Sequence, residues 1–239
     1  MGGTHESLKH TEPCSFSFET DHDISFIKES PNKKMLLVGW GSNNIRLFDL
    51  ASHTYIADFE GCTYSKSTSN TCLAAWSPDS KHIAYRWEKD IRIWDTTQNQ
   101  MVRSINNHDT WVTVSYSPDG NYLLVGCRTD LIKLYDLNKD SSIAKIWEGK
   151  ARVQSHIQVS KEYSYKITTE PMWHPSGSHF TARWNKECMV FRFDGHSVHQ
   201  EESIKSCDDI NDIRFSPDGK YVTLGTGKSK VNLFSWDSK

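Results

Sequence analysis

Three stretches of this chain carry residue types used in catalysis or metal binding, and their spacing decides each case. His5-Glu6-Ser7-Leu8-Lys9-His10 offers two histidines and a glutamate, the set of a zinc hydrolase helix, where the histidines sit four apart on one helical face. Here they stand five apart, about 140° from one another at about 100° per residue, and no third ligand is suggested. A polar chain end is the simpler reading. Gly225-Thr226-Gly227-Lys228-Ser229 ends like a phosphate-binding loop, whose amides cradle phosphate only with another glycine five residues before Gly227 and a helix after it. Val222 occupies that glycine's place and the strand-like Val231-Asn232-Leu233-Phe234 follows, so the segment reads as a turn. His196 and His199 lie beside Gly195, with Cys188 the nearest soft ligand but across a strand, which is not a paired-ligand signature. No nucleophile elbow, Gly-rich cradle or ligand cluster organises the remaining histidines and acids. The expectation is a non-enzyme without cofactor or metal.

Residues suited to recognition recur at a fixed distance from proline. Nine positions after each of five prolines stand Trp40, Trp87, Cys127, Trp184 and Thr226, preceded by Gly39, Arg86, Gly126, Arg183 and Gly225. Aromatic plus Arg is the composition of interface hot spots. The same tryptophans also read as filler between stacked sheets, where strand side chains are buried on both faces. A second group, Lys150, Arg152, His156, Lys161, Tyr163, Tyr165 and Lys166, lies between Gly149 and Lys166. It is either a solvated loop or a basic, aromatic rim suited to an acidic or phosphorylated peptide, or to single-stranded RNA.

These residues are positioned by a repeat. Ser30-Pro31, Ser77-Pro78-Asp79, Ser117-Pro118-Asp119-Gly120, His174-Pro175-Ser176-Gly177 and Ser216-Pro217-Asp218-Gly219 each open a tight turn between two strands. Phe48, Tyr135 and Phe234 stand seventeen residues after their prolines and Trp94 sixteen after Pro78. The runs Ile45-Arg46-Leu47-Phe48-Asp49, Ile91-Arg92-Ile93-Trp94-Asp95 and Leu131-Ile132-Lys133-Leu134-Tyr135-Asp136 alternate with the period of a strand. In all this the chain resembles the WD-repeat (WD40, β-transducin-like) family, whose repeat ends in Trp-Asp after a Ser-Pro-Asp-Gly turn and forms a four-stranded propeller blade. The final Trp236-Asp237 is out of register, because Phe234-Ser235 fills the equivalent slot. Blade four is irregular: Phe193-Asp194 comes eighteen residues after Pro175, and Met189-Val190-Phe191-Arg192 alternates poorly.

Outer strands are expected at 54–59, 101–105, 143–147 and 197–200. Only five residues follow Phe234, so Ser15-Phe16-Ser17-Phe18 is expected to supply the last blade's outer strand, as it parallels Val102-Arg103-Ser104-Ile105. The expected fold is all-β, a propeller of about five four-stranded antiparallel blades closed by that N-terminal strand, spanning 14–239 after a flexible tail at 1–13. The longest gap, from Asp136 to Pro175, is too short for a hidden blade of about 40 residues. A part of a larger assembly that completes the ring is the other reading.

The resemblance implies that the tryptophan column lies near the end of the second strand. It also implies that His22 and His108 are structural, and that the insertions 61–70 and 149–166 project from the column's face. The implied function is a scaffold or adaptor binding proteins or peptide segments, with RNA binding on the same face second and an enzyme with a central-channel site third. A formal net charge of −2 gives no reason to expect DNA or an anionic membrane as partner. The six cysteines are unpaired in sequence and read as reduced core thiols. No apolar run reaches spanning length, no signal-peptide core opens the chain, and Glu6 stands where a myristoylation motif wants Ser or Thr. A cytoplasmic or nuclear location is expected.

Overall fold

Alternating apolar and polar residues make the runs around each proline into strands, and the tight turns fold them back as antiparallel neighbours. The computed structural model describes residues 23–40, 44–59, 74–87, 89–106, 112–127, 131–138, 144–150, 171–184 and 186–236. Blade one is β1 (Ile24–Glu29), β2 (Met35–Trp40), β3 (Asn44–Asp49) and β4 (Thr54–Phe59), hydrogen-bonded in that order. Blade two repeats the meander with β5 (Ala74–Trp76), β6 (His82–Trp87), β7 (Asp90–Asp95) and β8 (Gln100–Asn106). Blade three comprises β9 (Val112–Tyr116), β10 (Tyr122–Cys127), β11 (Leu131–Asp136) and β12 (Ala144–Lys150).

Blade four holds β13 (Met172–Trp173), β14 (His179–Trp184), β15 (Glu187–Phe193), β16 (Val198–Gln200) and β17 (Ile204–Lys205). Its outer strand is broken: β16 pairs with Phe191–Phe193 and β17 with Glu187–Cys188 of the same β15. The poor alternation of β15 follows from its packing, since Cys188, Met189, Val190 and Phe191 are all buried, two on each face. Blade five shows β18 (Ile210–Phe215), β19 (Tyr221–Thr226) and β20 (Lys230–Ser235). The tail 1–13, the closing strand 15–18, His22 and His108 lie outside the described residues.

Each turn is a small hydrogen-bond device. Ser77 Oγ donates to Asp79 Oδ1 at 2.6 Å while the amides of His82 and Lys81 donate to Ser77 Oγ and Asp79 Oδ1. Ser30 with Asn32, Ser117 with Asp119 and Ser216 with Asp218 repeat it. In blade four His174 and Ser176 take over, with Nδ1 and Oγ 2.7 Å apart. The Asp after the aromatic closes the next turn. Asp49 accepts from the amides of Ser52 and Ala51, and Asp194 from those of Ser197 and His196.

Those donors hold both carboxyls below their ordinary 3.8; for Asp95 burial opposes the shift, but bonds from Thr97 and Gln98 outweigh it. A carboxylate with a depressed folded pKa contributes stability that is present above the unfolded value and lost as pH falls through the folded one. Denaturant midpoints should therefore be flat from neutral pH to about pH 5 and fall steeply below about pH 4. Asp49→Asn combined with Asp194→Asn should flatten that acid limb; an unchanged slope would remove these turns from the account.

Packing is between blades. Four clusters of buried side chains bridge blades one and two, two and three, three and four, and four and five. In the first, Leu37, Ile45 and Leu47 meet Ala74, Ile83 and Tyr85. The second strand of blade one needs a glycine for this, because a Cβ on Gly39 would lie 2.3 Å from the Phe26 ring. Consecutive turns also touch: the Asn32 amide donates to Ser80 Oγ, and His174 Nε2 lies 2.8 Å from Gly219 O. Trp236 stacks on His174 with ring centroids 5.2 Å apart, and Tyr221 pairs with Ser235, so the out-of-register reading of Trp236 holds. Cys127 and Cys188 are buried, and burial pushes the Cys188 thiol up to about 12. Cys207 departs from the core-thiol expectation: it is free and exposed, in the bend between β17 and β18.

Candidate partner-binding rim

The proline turns line up on one rim of the blades. The opposite rim carries the far ends of every second strand, and there the tryptophan column falls: Trp40, Trp87, Cys127, Trp184 and Thr226 are the last residues of β2, β6, β10, β14 and β19. Trp184 pairs with Glu187 across the strand turn. Since the fourth strand of a blade runs toward this same rim, β4 and β12 deliver the chain here before the two long connections, and Lys150 closes β12. Arg152, His156, Lys161, Tyr163, Tyr165 and Lys166 lie outside the described residues.

Trp40 is buried, and the Arg46 guanidinium sits 5.1 Å from its ring centroid. Arg46 also grips Asp58 with Nε to Oδ1 at 2.6 Å and Nη2 to Oδ2 at 3.0 Å, and lies 5.3 Å from the Tyr55 ring. The hydrogen bond from Asp58 raises the Arg46 pKa, against the opposing effect of burial. In blade two the same arrangement recurs: Arg92 lies 3.6 Å from the centroid of Trp87, which is half-buried and packs on the core between blades one and two. Both arginines hold the third position of the third strand, opposite Val38 and Tyr85. A guanidinium held on an indole face is oriented and partly desolvated, which strengthens what it binds next. Arg92 Nε is buried and has no hydrogen-bond partner among the described residues.

Of the Arg-Trp neighbours singled out in sequence, Arg86 is buried opposite Ile91, on the other face of β6 from Trp87, and Arg183 donates from Nη1 to the Ile210 carbonyl at 3.1 Å, tying blade four to blade five. The stacking partners in blades one and two are instead Arg46 and Arg92. Their signal in the sequence is the shared Ile45-Arg46 and Ile91-Arg92 pair, whose strand phase places Arg beside the tryptophan across β2–β3 and β6–β7.

The turn rim has a groove that sequence reading did not find. About 330 Å³ in volume, it lies between the turns of blades two and three, lined by Asp79, His82, Arg103, Tyr116, Asp119 and Asn138 among others. Burial raises the Tyr116 phenol well above its ordinary value. Among the described residues, no group of three or more His, Cys, Asp or Glu is placed to hold a metal, and no helix is long and apolar enough to cross a membrane.

The family described as WD domain, G-beta repeat matches residues 60–95 and 99–136. Protein groucho of Drosophila melanogaster is 26% identical over 90% of this chain and 33% of its own length. The human serine-threonine kinase receptor-associated protein is 22% identical over 89% of this chain and 55% of its own, and THO complex subunit 3 of Arabidopsis thaliana 20% over 95% and 69%. The chain thus spans a third to about half of the first relatives it matches. The solved β-propeller domain of Myceliophteria thermophila Cps50 (Swd1) superposes with a TM-score of 0.69 at 15% identity, covering 94% of this chain and 69% of that one. All-β propeller blades are thereby established.

Proposed function

We propose that this chain, a WD-repeat protein, is a non-catalytic scaffold that binds a peptide or protein segment on the rim where its second strands end. The observation that carries this is the paired stacking of Arg46 on Trp40 and Arg92 on Trp87 at that rim, next to the origins of both long connections. Aromatic and Arg anchors in a partly desolvated setting are what protein interfaces concentrate. Two of the similar proteins, a receptor-associated protein and a complex subunit by name, support a role inside an assembly. The residues proposed for the site are Trp40, Arg86, Trp87, Arg183 and Trp184 at the ends of the second strands, together with Lys150 at the end of β12 and Arg152, Lys161, Tyr163, Tyr165 and Lys166 from the connection that follows it. The basic and aromatic residues of that connection suit an acidic or phosphorylated segment, and the location that goes with such a role is cytoplasm or nucleus.

Lys161→Glu with Lys166→Glu should remove the proteins co-purifying with the wild type while leaving the melting curve within about 1 °C, as charge changes without a buried partner cost little stability. Retention of the same proteins by this variant, together with their loss on Asn121→Arg with Asn138→Arg in the opposite groove, would move the site to the turn rim. Single-stranded RNA is the competing ligand. Oligouridylate titrated at rising salt separates the two, since phosphate contacts give affinity that falls steeply with salt.

A further inference from the structure

The third and fourth strands of the blades repeat a charge pair that blade two leaves half-built. In blade one the third residue of the third strand, Arg46, stands opposite Asp58 of β4 and donates to both of its carboxylate oxygens, at 2.6 and 3.0 Å. In blade three the register sets Lys133 opposite Glu148, again a cation against an acid. In blade two the same positions hold Arg92 and Ser104. The cation is kept and the carboxylate is gone. Blades one and two otherwise correspond closely: each guanidinium lies over the tryptophan that ends the second strand, and the residues after Asp58 and Ser104, Phe59 and Ile105, are both buried, opposite Ile45 and Ile91.

Arg92 is the more closely stacked of the two, 3.6 Å from its indole centroid against 5.1 Å for Arg46. Its Nε is buried without a hydrogen-bond partner, and among the described residues no acid forms an ion pair with it. A partly desolvated guanidinium with donors unmet gains more from an arriving anion than a fully hydrated one would. The place for that anion is accessible. Directly cross-strand partners project to the same side of a sheet, and Ser104 is exposed, with only a hydroxymethyl group where Asp58 carries its carboxylate. The neighbouring cation does not compete for it, because Arg103 lies on the other face of β8 and donates to the Leu137 carbonyl of blade three.

We propose that a carboxylate of the partner segment, from an aspartate or glutamate side chain, seats over Ser104 and takes from Arg92 the paired hydrogen bonds that Asp58 takes from Arg46. This rests on the reading that an acidic segment binds the rim where the second strands end, and it names the residue and the group that meet there. Arg92 is oriented by Trp87 before the ligand arrives, and a planar guanidinium matches a planar carboxylate with two parallel bonds.

The test titrates N-acetyl-aspartate methylamide into the full chain and follows the Arg92 Nε–H resonance, with that of Arg46 in the same spectrum as the reference for a carboxylate-bound guanidinium. The Arg92 signal should move saturably towards the Arg46 position, and N-acetyl-asparagine methylamide, which lacks the charge, should bind at least about tenfold more weakly. Ser104→Asp supplies the missing group from within the chain: its Arg92 signal should start near the Arg46 position and no longer respond, whereas Ser104→Ala should respond as the wild type does. Absence of a shift in the wild type, an equal response to the asparagine compound, or an undiminished response in Ser104→Asp would each overturn the proposal. N-acetyl-phosphoserine methylamide binding more than about tenfold tighter than the aspartate compound at equal ionic strength would also overturn it, in favour of a phosphate. The rim reading fails by a different result, retention of co-purifying proteins by Lys161→Glu with Lys166→Glu. If those proteins are lost on the lysine changes yet kept by Ser104→Asp, the rim stands and Arg92 is not its anchor; loss in both variants, with the titration as expected, supports it.

Discussion

Leu134→Ala should lower the unfolding free energy by about 2–5 kcal/mol, while Leu233→Ala, the same substitution at the same place in the repeat, should cost less than about 0.5 kcal/mol. Leu134 is fully buried in the core between blades three and four, packed with Phe180, Phe191 and Phe193. Removing its isobutyl group loses the transfer free energy and leaves a cavity that rigid strands close only in part. Leu233 occupies the equivalent position in β20 and is 63% exposed. Denaturant titrations of the two variants decide the point. Equal costs would show that the Leu233 face of blade five is covered in solution.

Gly219→Ala should cost about 2–4 kcal/mol, roughly twice the cost of Gly120→Ala at the equivalent turn position. Both glycines have positive φ, +71° and +78°, so an alanine at either pays the left-handed penalty of about 1–2 kcal/mol. The difference is what the new methyl meets. At Gly120 the nearest atom is Pro78 Cδ at 3.6 Å, an ordinary contact; at Gly219 the His174 ring stands 2.7 Å away. That ring is held on several sides, by Ser176, by the Gly219 carbonyl, by the stacked Trp236 and by Phe215 edge-on at 5.0 Å. It therefore has little room to yield. His174→Ala should be destabilising alone, yet Gly219→Ala should cost no more in that background than Gly120→Ala does in the wild type. A double-mutant cycle showing no coupling would mean that the ring moves freely and that the seam between blades four and five does not depend on it.

The strands, turns and blade boundaries were legible in the residues because each is set by local chemistry. Period-two alternation specifies β3, β7 and β11, and Ser-Pro-Asp carries its own hydrogen-bonding side chains, so both read directly from neighbours in sequence. Register was legible for the same reason, which is how Trp236 was separated from the Trp-Asp slot. What the sequence left open was which face of each strand meets which neighbour. Ile45-Arg46-Leu47 shows that Arg46 points away from the leucine, but that it lies on Trp40 and grips Asp58 depends on the twist of the sheet and on β4 beside it. Arg86, chosen from sequence for standing next to Trp87, is buried, and Arg92 takes the stacking place because it faces that indole across the β6–β7 pair. The split outer strand of blade four and the burial of β15 on both faces depend equally on the sheets packed to either side. The same limit governs β20: Val231 and Leu233 follow the same pattern as Ile45 and Leu47, yet the latter pair is buried and the former exposed. Hydrophobic periodicity states that a face must be covered; which surface covers it is a property of tertiary packing.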